Sequence, residues 1–215
     1  TISTGGFSTK NESLGFWLNN PWILWTTTIF MTISGINFIA HIKALKGDLS
    51  GYKSEEVKWY LIVLFVLSIG VSLVHYLSSK DSLFFALTNG FFTISSILTT
   101  TGFATVDYST WGQSAIALIF IAMLIGGNAG STAGGIKVIR FVVMFKNLKF
   151  QIKKIISPYS IISVKIDGKK LSHQTIANVS AFIFLYILTV TAIALYLFAN
   201  GYDTLTSLSA SIACV

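Results

Sequence analysis

Apolar runs of unequal length, separated by short polar breaks, organise this chain. The runs over 21–45, 57–77 and 174–198 reach the roughly 20 residues that a helix needs to cross a bilayer. Two others stop short: Leu83–Leu98, and a half-span over 113–125. The polar stretch KGDLSGYKSEE at 46–56 separates the first two full spans, and a tight turn at 78–80 leads into the first short run.

That short run follows Asp81 and Ser82, either or both of which can cap a helix start. The pattern predicts a re-entrant helix that enters the membrane and turns back. Thr99-Thr100-Thr101-Gly102-Phe103 comes next. β-Branched Thr favours extended backbone, and Gly admits angles closed to other residues. Non-helical backbone at membrane depth is tolerated only where it lines a cavity or is buried in protein. An extended Thr-x-Gly segment aiming carbonyls into a pore is how K+ filters replace an ion's hydration shell. Thr4-Gly5-Gly6-Phe7 repeats the theme. Its register is open: Thr4-Gly5 matches Thr101-Gly102, whereas Gly6-Phe7-Ser8-Thr9 matches Gly102-Phe103-Ala104-Thr105.

The half-span runs into Gly126-Gly127-Asn128-Ala129-Gly130-Ser131-Thr132-Ala133-Gly134-Gly135. Each Gly in a helix interior costs about 1 kcal/mol relative to Ala. Small-xxx-small helix packing would account for the glycines. It does not account for Asn128, Ser131 and Thr132, which lipid penalises. A broken helix facing an aqueous cavity answers both. A phosphate loop is excluded, because Val138 stands where a hydroxyl should follow Lys137. Lys137 and Arg140 are spaced i, i+3 and are expected on one helix face. There they anchor the helix by snorkelling, or tether the loop and set an electrostatic barrier.

Composition agrees with a polytopic membrane protein. Of 215 residues, 53% are hydrophobic and 11% charged, against about 25% charged in soluble domains. The net charge of +7 is unevenly spread. Assigning the segments alternately to two sides places 13 of the 15 basic residues on one side, with 4 of the 8 acidic ones. The positive-inside rule makes that side cytoplasmic, so the charge argues for a membrane orientation and against a nucleic-acid partner. The basic stretch 146–172 suits anionic lipid heads or a cytoplasmic subunit, and Asp167-Gly168 within it suits a tight hairpin turn. Cys214 is the single cysteine. No His/Cys cluster has metal spacing, and no Ser/His/Asp grouping or paired intramembrane carboxylates support an enzyme. Asp203-Thr204-Leu205 restarts the pattern of Asp81-Ser82-Leu83, an internal repeat.

These features resemble the Trk/Ktr/HKT superfamily of K+ transporters, most of all the membrane subunits of the bacterial Trk/Ktr branch. The words that carry the resemblance are Thr-Gly-Gly-Phe-Ser-Thr at 4–9, Thr-Thr-Gly-Phe-Ala-Thr at 100–105 and, most specific, GGNAGSTAGGIKVIR at 126–140. The resemblance implies an all-α membrane protein of repeated helix–pore loop–helix units, with re-entrant pore helices and one broken transmembrane helix. It implies the end of a second repeat at 1–45, a third at 57–148, a basic cytoplasmic loop at 149–173 and the start of a fourth at 174–215. The activity implied is channel-like K+ uptake across a bacterial inner membrane. K+ is then the transported ion, with no cofactor and no metal site beyond it. Thr4, Gly5, Gly6, Thr100, Thr101, Gly102 and Phe103 form the filter, 126–135 the gate, and Lys137 and Arg140 lie on the pore side. The family also implies a homodimer and a cytoplasmic nucleotide-binding regulatory subunit. A Na+-coupled or Na+-conducting relative, or a secondary transporter with a broken-helix substrate site, is the alternative.

Overall fold

The computed structural model describes residues 1–79, 81–157 and 163–215. Lys80, the end of the expected outer turn, and residues 158–162 of the basic stretch lie outside the described residues. The chain divides into two compact units, 1–138 and 139–215.

In the first unit, a loop and a 3-10 helix (Ser13–Trp17) precede α1 (Pro21–Ser34) and α2 (Phe38–Leu45). The single span expected over 21–45 is thus two helices, bent by 98° at the break. The cause is local: Gly35 closes α1, and the Asn37 side chain accepts the Ile39 N–H at 2.8 Å to start α2. His41 braces the corner between the Ile33 carbonyl (3.0 Å) and the Tyr52 hydroxyl (2.6 Å). α3 (Glu55–Ser78) is capped by Ser54 and α4 (Leu83–Leu98) by Ser82. Asp81, also expected at the α4 cap, instead faces His75 Nε2 at 3.1 Å. A 3-10 turn at Tyr108–Trp111 leads to α5 (Gln113–Leu124).

α4 is the centre of this unit, packed among α1, α3 and α5. Small residues allow the approach: a Cβ on Gly90 would run into Ser72 of α3. Leu67, Val71, Ile94, Trp111, Ala115, Ile119 and Ala122 form one buried cluster. Leu24, Met31 and Phe92 form another, against which Phe103 packs.

After α5, β1 (Ile125–Gly126) pairs in parallel with β2 (Ile136–Lys137), closing a loop between them. α6 (Val138–Ile156) follows and carries the chain into the second unit. There β3 (Lys165–Ile166) and β4 (Lys169–Lys170) make the expected hairpin, with left-handed Asp167 (φ 48°) and Gly168 (φ 76°) at the turn. α7 (His173–Ala199) packs against α8 (Thr204–Cys214). α8 is capped by Asp203, so relative to the Asp81/Asp203 repeat the caps fall one residue apart.

α3 and α7 are long and apolar enough to cross a membrane, and the bent α1–α2 pair adds a third span if counted as one. The chain is an all-α, multi-pass, membrane-embedded protein. Trp22 is 81% exposed, as a belt position needs. Trp25 turns inward and gives its indole N–H to Thr88 of α4 at 3.1 Å.

Candidate functional site

The two threonine–glycine loops have one backbone form. Thr4 (φ 49°) and Gly6 (φ 66°) are left-handed, and so are Thr100 (φ 52°) and Gly102 (φ 81°). The register left open by the sequence follows: Thr4 corresponds to Thr100, Gly5 to Thr101 and Gly6 to Gly102. The loops also touch. A Cβ on Gly6 would collide with the Thr101 carbonyl, whereas one on Gly102 would meet nothing within 4 Å.

α4 sets the second loop. Thr101 returns its N–H to the Ser96 carbonyl at 2.8 Å, and Ser96 Oγ donates to the Phe103 carbonyl at 2.7 Å. Thr99 Oγ1 donates to the Ser95 carbonyl at 2.6 Å, so in its 2.7 Å contact with Thr101 the Thr101 hydroxyl is the donor. Thr99 and Thr101 are therefore buried and satisfied. Farther out, Leu14 N–H bonds the Ala104 carbonyl at 3.0 Å, and Thr105 bonds the buried Asn89 side chain at 2.8 Å. The carbonyls of Phe103 and Ala104 are thus occupied. Those of Thr4, Gly5, Gly6, Thr100, Thr101 and Gly102 accept no hydrogen bond from the described residues.

The loop between β1 and β2 is fastened to both of these segments. Gly134 N–H donates to Thr100 Oγ1 at 2.7 Å. Thr4 Oγ1 donates to the Thr132 carbonyl at 3.3 Å, and Thr132 Oγ1 lies 3.4 Å from the carbonyls of Ile2 and Ser34. Gly126 packs directly on the Gly134 backbone and Gly127 against Ala133 and the Gly35 carbonyl, which leaves no room for side chains. Ser131 Oγ closes a turn on the Asn128 carbonyl at 2.6 Å. Gly130 (φ 76°) abuts Asn37, and Gly135 is also left-handed (φ 66°). The Asn128 side chain is fully buried, its amide without a partner among the described residues.

The bend at 35–37, inside the stretch expected to be one span, is part of this assembly. Asn128 N–H bonds the Gly35 carbonyl at 2.9 Å, and Phe38 N–H bonds the Gly130 carbonyl at 3.0 Å. Glu56, at the start of α3, accepts the Ala129 N–H. The stop-and-start pair Gly35/Asn37 was the available signal for the bend; Glu56 gave none.

Lys137 and Arg140 do not share a helix face. Lys137 lies in β2, before α6 begins, because the strand pairing holds it extended. Its Nζ donates to the Ala133 carbonyl within the loop. In the second unit, the Arg140 guanidinium sits 3.6 Å from the Phe182 ring centroid, a cation–π contact. Outside the membrane segments, hydrogen bonds from Ser109 hold the Asp107 carboxyl below the usual range.

The sequence model of the TrkH family, described as a cation transport protein, matches residues 1–85 and 56–215. The Trk system potassium uptake protein TrkI of Halomonas elongata is 32% identical over all of this chain, which spans 44% of that protein. TrkG of Escherichia coli K12, also a Trk system potassium uptake protein, is 33% identical, again over the whole chain and 44% of its own length. The crystal structure of the potassium transporter TrkH from Vibrio parahaemolyticus superimposes with a TM-score of 0.91 at 29% identity, covering 99% of this chain and 46% of that one. The chain therefore spans under half the length of these relatives.

Proposed function

Because the chain belongs to the TrkH family of cation transport proteins, we propose that it forms part of the membrane subunit of a K+ uptake system. In this reading it supplies two of the filter loops and the gate of one ion pathway. K+ sheds water as the carbonyls of Thr4–Gly6 and Thr100–Gly102 replace its hydration shell. Phe103 supports the filter by packing, since its own carbonyl is bonded to Ser96. The loop 126–135 blocks or opens the path beneath, and Lys137 tethers it. The observation that carries the reading is the shared left-handed–x–left-handed backbone of the two loops, with carbonyls left unbonded by the described residues. A second support is that the interrupting loop is bonded to both.

The wider assembly follows from the same premise. A bacterial inner membrane is the location. A dimer of complete subunits, with a cytoplasmic nucleotide-binding subunit against the basic stretch 146–172, is the working unit. The test is Rb+ uptake by the complete subunit in cells lacking other K+ transport, comparing wild type with Gly102→Ser. Uptake lost with this change supports the filter reading. Uptake unchanged by it removes Gly102 from the filter, and no wild-type uptake points to Na+ as the ion or to a subunit that does not transport.

A further inference from the structure

We propose that Glu56 is a positioning residue that holds the gate loop in the conformation described above. The inference rests on the gate reading of 126–135 and adds to it the contact by which that loop is held.

Three consecutive loop residues are fastened to three different places. Asn128 N–H bonds the Gly35 carbonyl, Ala129 N–H bonds Glu56 Oε1, and the Gly130 carbonyl accepts the Phe38 N–H. The outer two bonds join backbone to backbone and persist whatever the side chains are. The middle one ends on a side chain and is charge-assisted, the stronger class of hydrogen bond.

Glu56 sits in the first turn of α3, where a carboxylate ordinarily serves the helix's own N–H groups and dipole. Ser54 already caps that end, its Oγ accepting from Val57 N–H at 3.4 Å. The carboxylate reaches instead to a loop 73 residues away. Immediately before it lies the polar stretch 46–54, on the side that the charge distribution makes cytoplasmic. A displacement of the α3 start would pull on Ala129 directly. A bond present only in the held state biases the held–released equilibrium by its own free energy.

The test uses the complete subunit with all its native cysteines, Cys214 among them, changed to Ser, and a reporter, Ala133→Cys. Ala133 is 5% exposed, so a thiol there is shielded while the loop is held. The rate of modification by a cytoplasmic methanethiosulfonate reagent is read alongside Rb+ uptake before and after modification. Glu56→Ala should speed modification about tenfold, the effect of losing one hydrogen bond to a charged group. Glu56→Gln keeps an acceptor oxygen and should give a smaller rise. Asp48→Asn removes a charge of the neighbouring polar stretch, at a side chain that serves Ser50, and should give none. If Glu56→Ala does not reach the membrane, Glu56→Asp, one methylene too short, takes its place with the same expectation. Equal rates in the Glu56 variants and the parent overturn the proposal. Faster modification with Rb+ uptake indifferent to it supports Glu56 as the holder of the loop and overturns the gate reading instead.

Discussion

Gly134 donates its backbone N–H to the Thr100 hydroxyl at 2.7 Å, so the interrupting loop hangs from a left-handed residue of the threonine–glycine segment. A left-handed backbone costs an L-residue about 1–2 kcal/mol, and Thr100 carries it at φ 52°. Thr100→Ser keeps the acceptor and should leave the thermal stability of the complete subunit within about 0.5 kcal/mol of wild type. Thr100→Val keeps the shape but removes the acceptor of the Gly134 N–H; the bond is exposed, so water takes the freed N–H and the cost should be the net worth of one hydrogen bond, about 0.5–1.5 kcal/mol. Thermal unfolding in detergent checks the pair. A Val variant as stable as wild type would show that the bond does not hold the loop.

Gly6 and Gly102 share a backbone form but not surroundings. At Gly102 a methyl group meets only the penalty of left-handed backbone, about 1–2 kcal/mol. At Gly6 it meets the Thr101 carbonyl as well. Gly6→Ala should therefore depress Rb+ uptake more than Gly102→Ala. The reverse order would mean that the two loops do not abut.

Ser96 fixes the exit of the second loop by donating to the Phe103 carbonyl. Ser96 is 2% exposed, so no bulk water replaces the lost donor in Ser96→Ala. The variant should lose about 1–3 kcal/mol of stability. Its Rb+/Na+ uptake ratio should also fall, because the freed carbonyl changes the spacing next to Gly102. An unaltered ratio would separate the Phe103 carbonyl from selectivity.

Acid should loosen the loop between α4 and α5. Asp107 accepts the Ser109 N–H at 2.9 Å, and the hydrogen bonds from Ser109 lower its pKa in the folded state. A lowered pKa contributes stability above the unfolded value of about 3.9, and that contribution is lost as pH falls through the folded value. Hydrogen exchange at the Ser109 amide, corrected for its intrinsic rate, should show full protection at neutral pH and loss below about pH 4. In Asp107→Asn, protection should not follow pH across this window.

Much of the fold was legible because length and periodicity are strong signals in a membrane chain. Leu83–Leu98 has the predicted bounds, and the short hairpin turns at Asp167-Gly168 as the dipeptide dictates. The end of the half-span at the Gly-rich stretch was legible too, from five glycines with Asn128, Ser131 and Thr132 in place of a helix interior. The bend at 35–37 was harder to see, because one Gly within an apolar run reads equally well as a packing notch; the Asn37 cap and the Asn128–Gly35 bond distinguish the two. Lys137 was misplaced for a related reason: i, i+3 spacing assumes a helix, and the strand pairing delays α6 until Val138. The register between the two threonine–glycine loops needed backbone angles, since Thr-Gly and Gly-Phe matches compete in the letters. Glu56 was invisible because its partner lies far along the chain and is a backbone N–H, which every residue but proline has.

The pairing of Ile125 with Ile136 and of Gly126 with Lys137 clamps the two feet of the loop together. Residues 127–135 can then change shape while both feet stay fixed. Such a rearrangement belongs to the nanosecond-to-microsecond range of loop motion, on the order of a thousandfold quicker than sliding packed helices past one another. On the proposed gate reading, permeation would be throttled by a small flap while the lipid-facing walls stand still, which would leave the surrounding bilayer undisturbed each time the path opens.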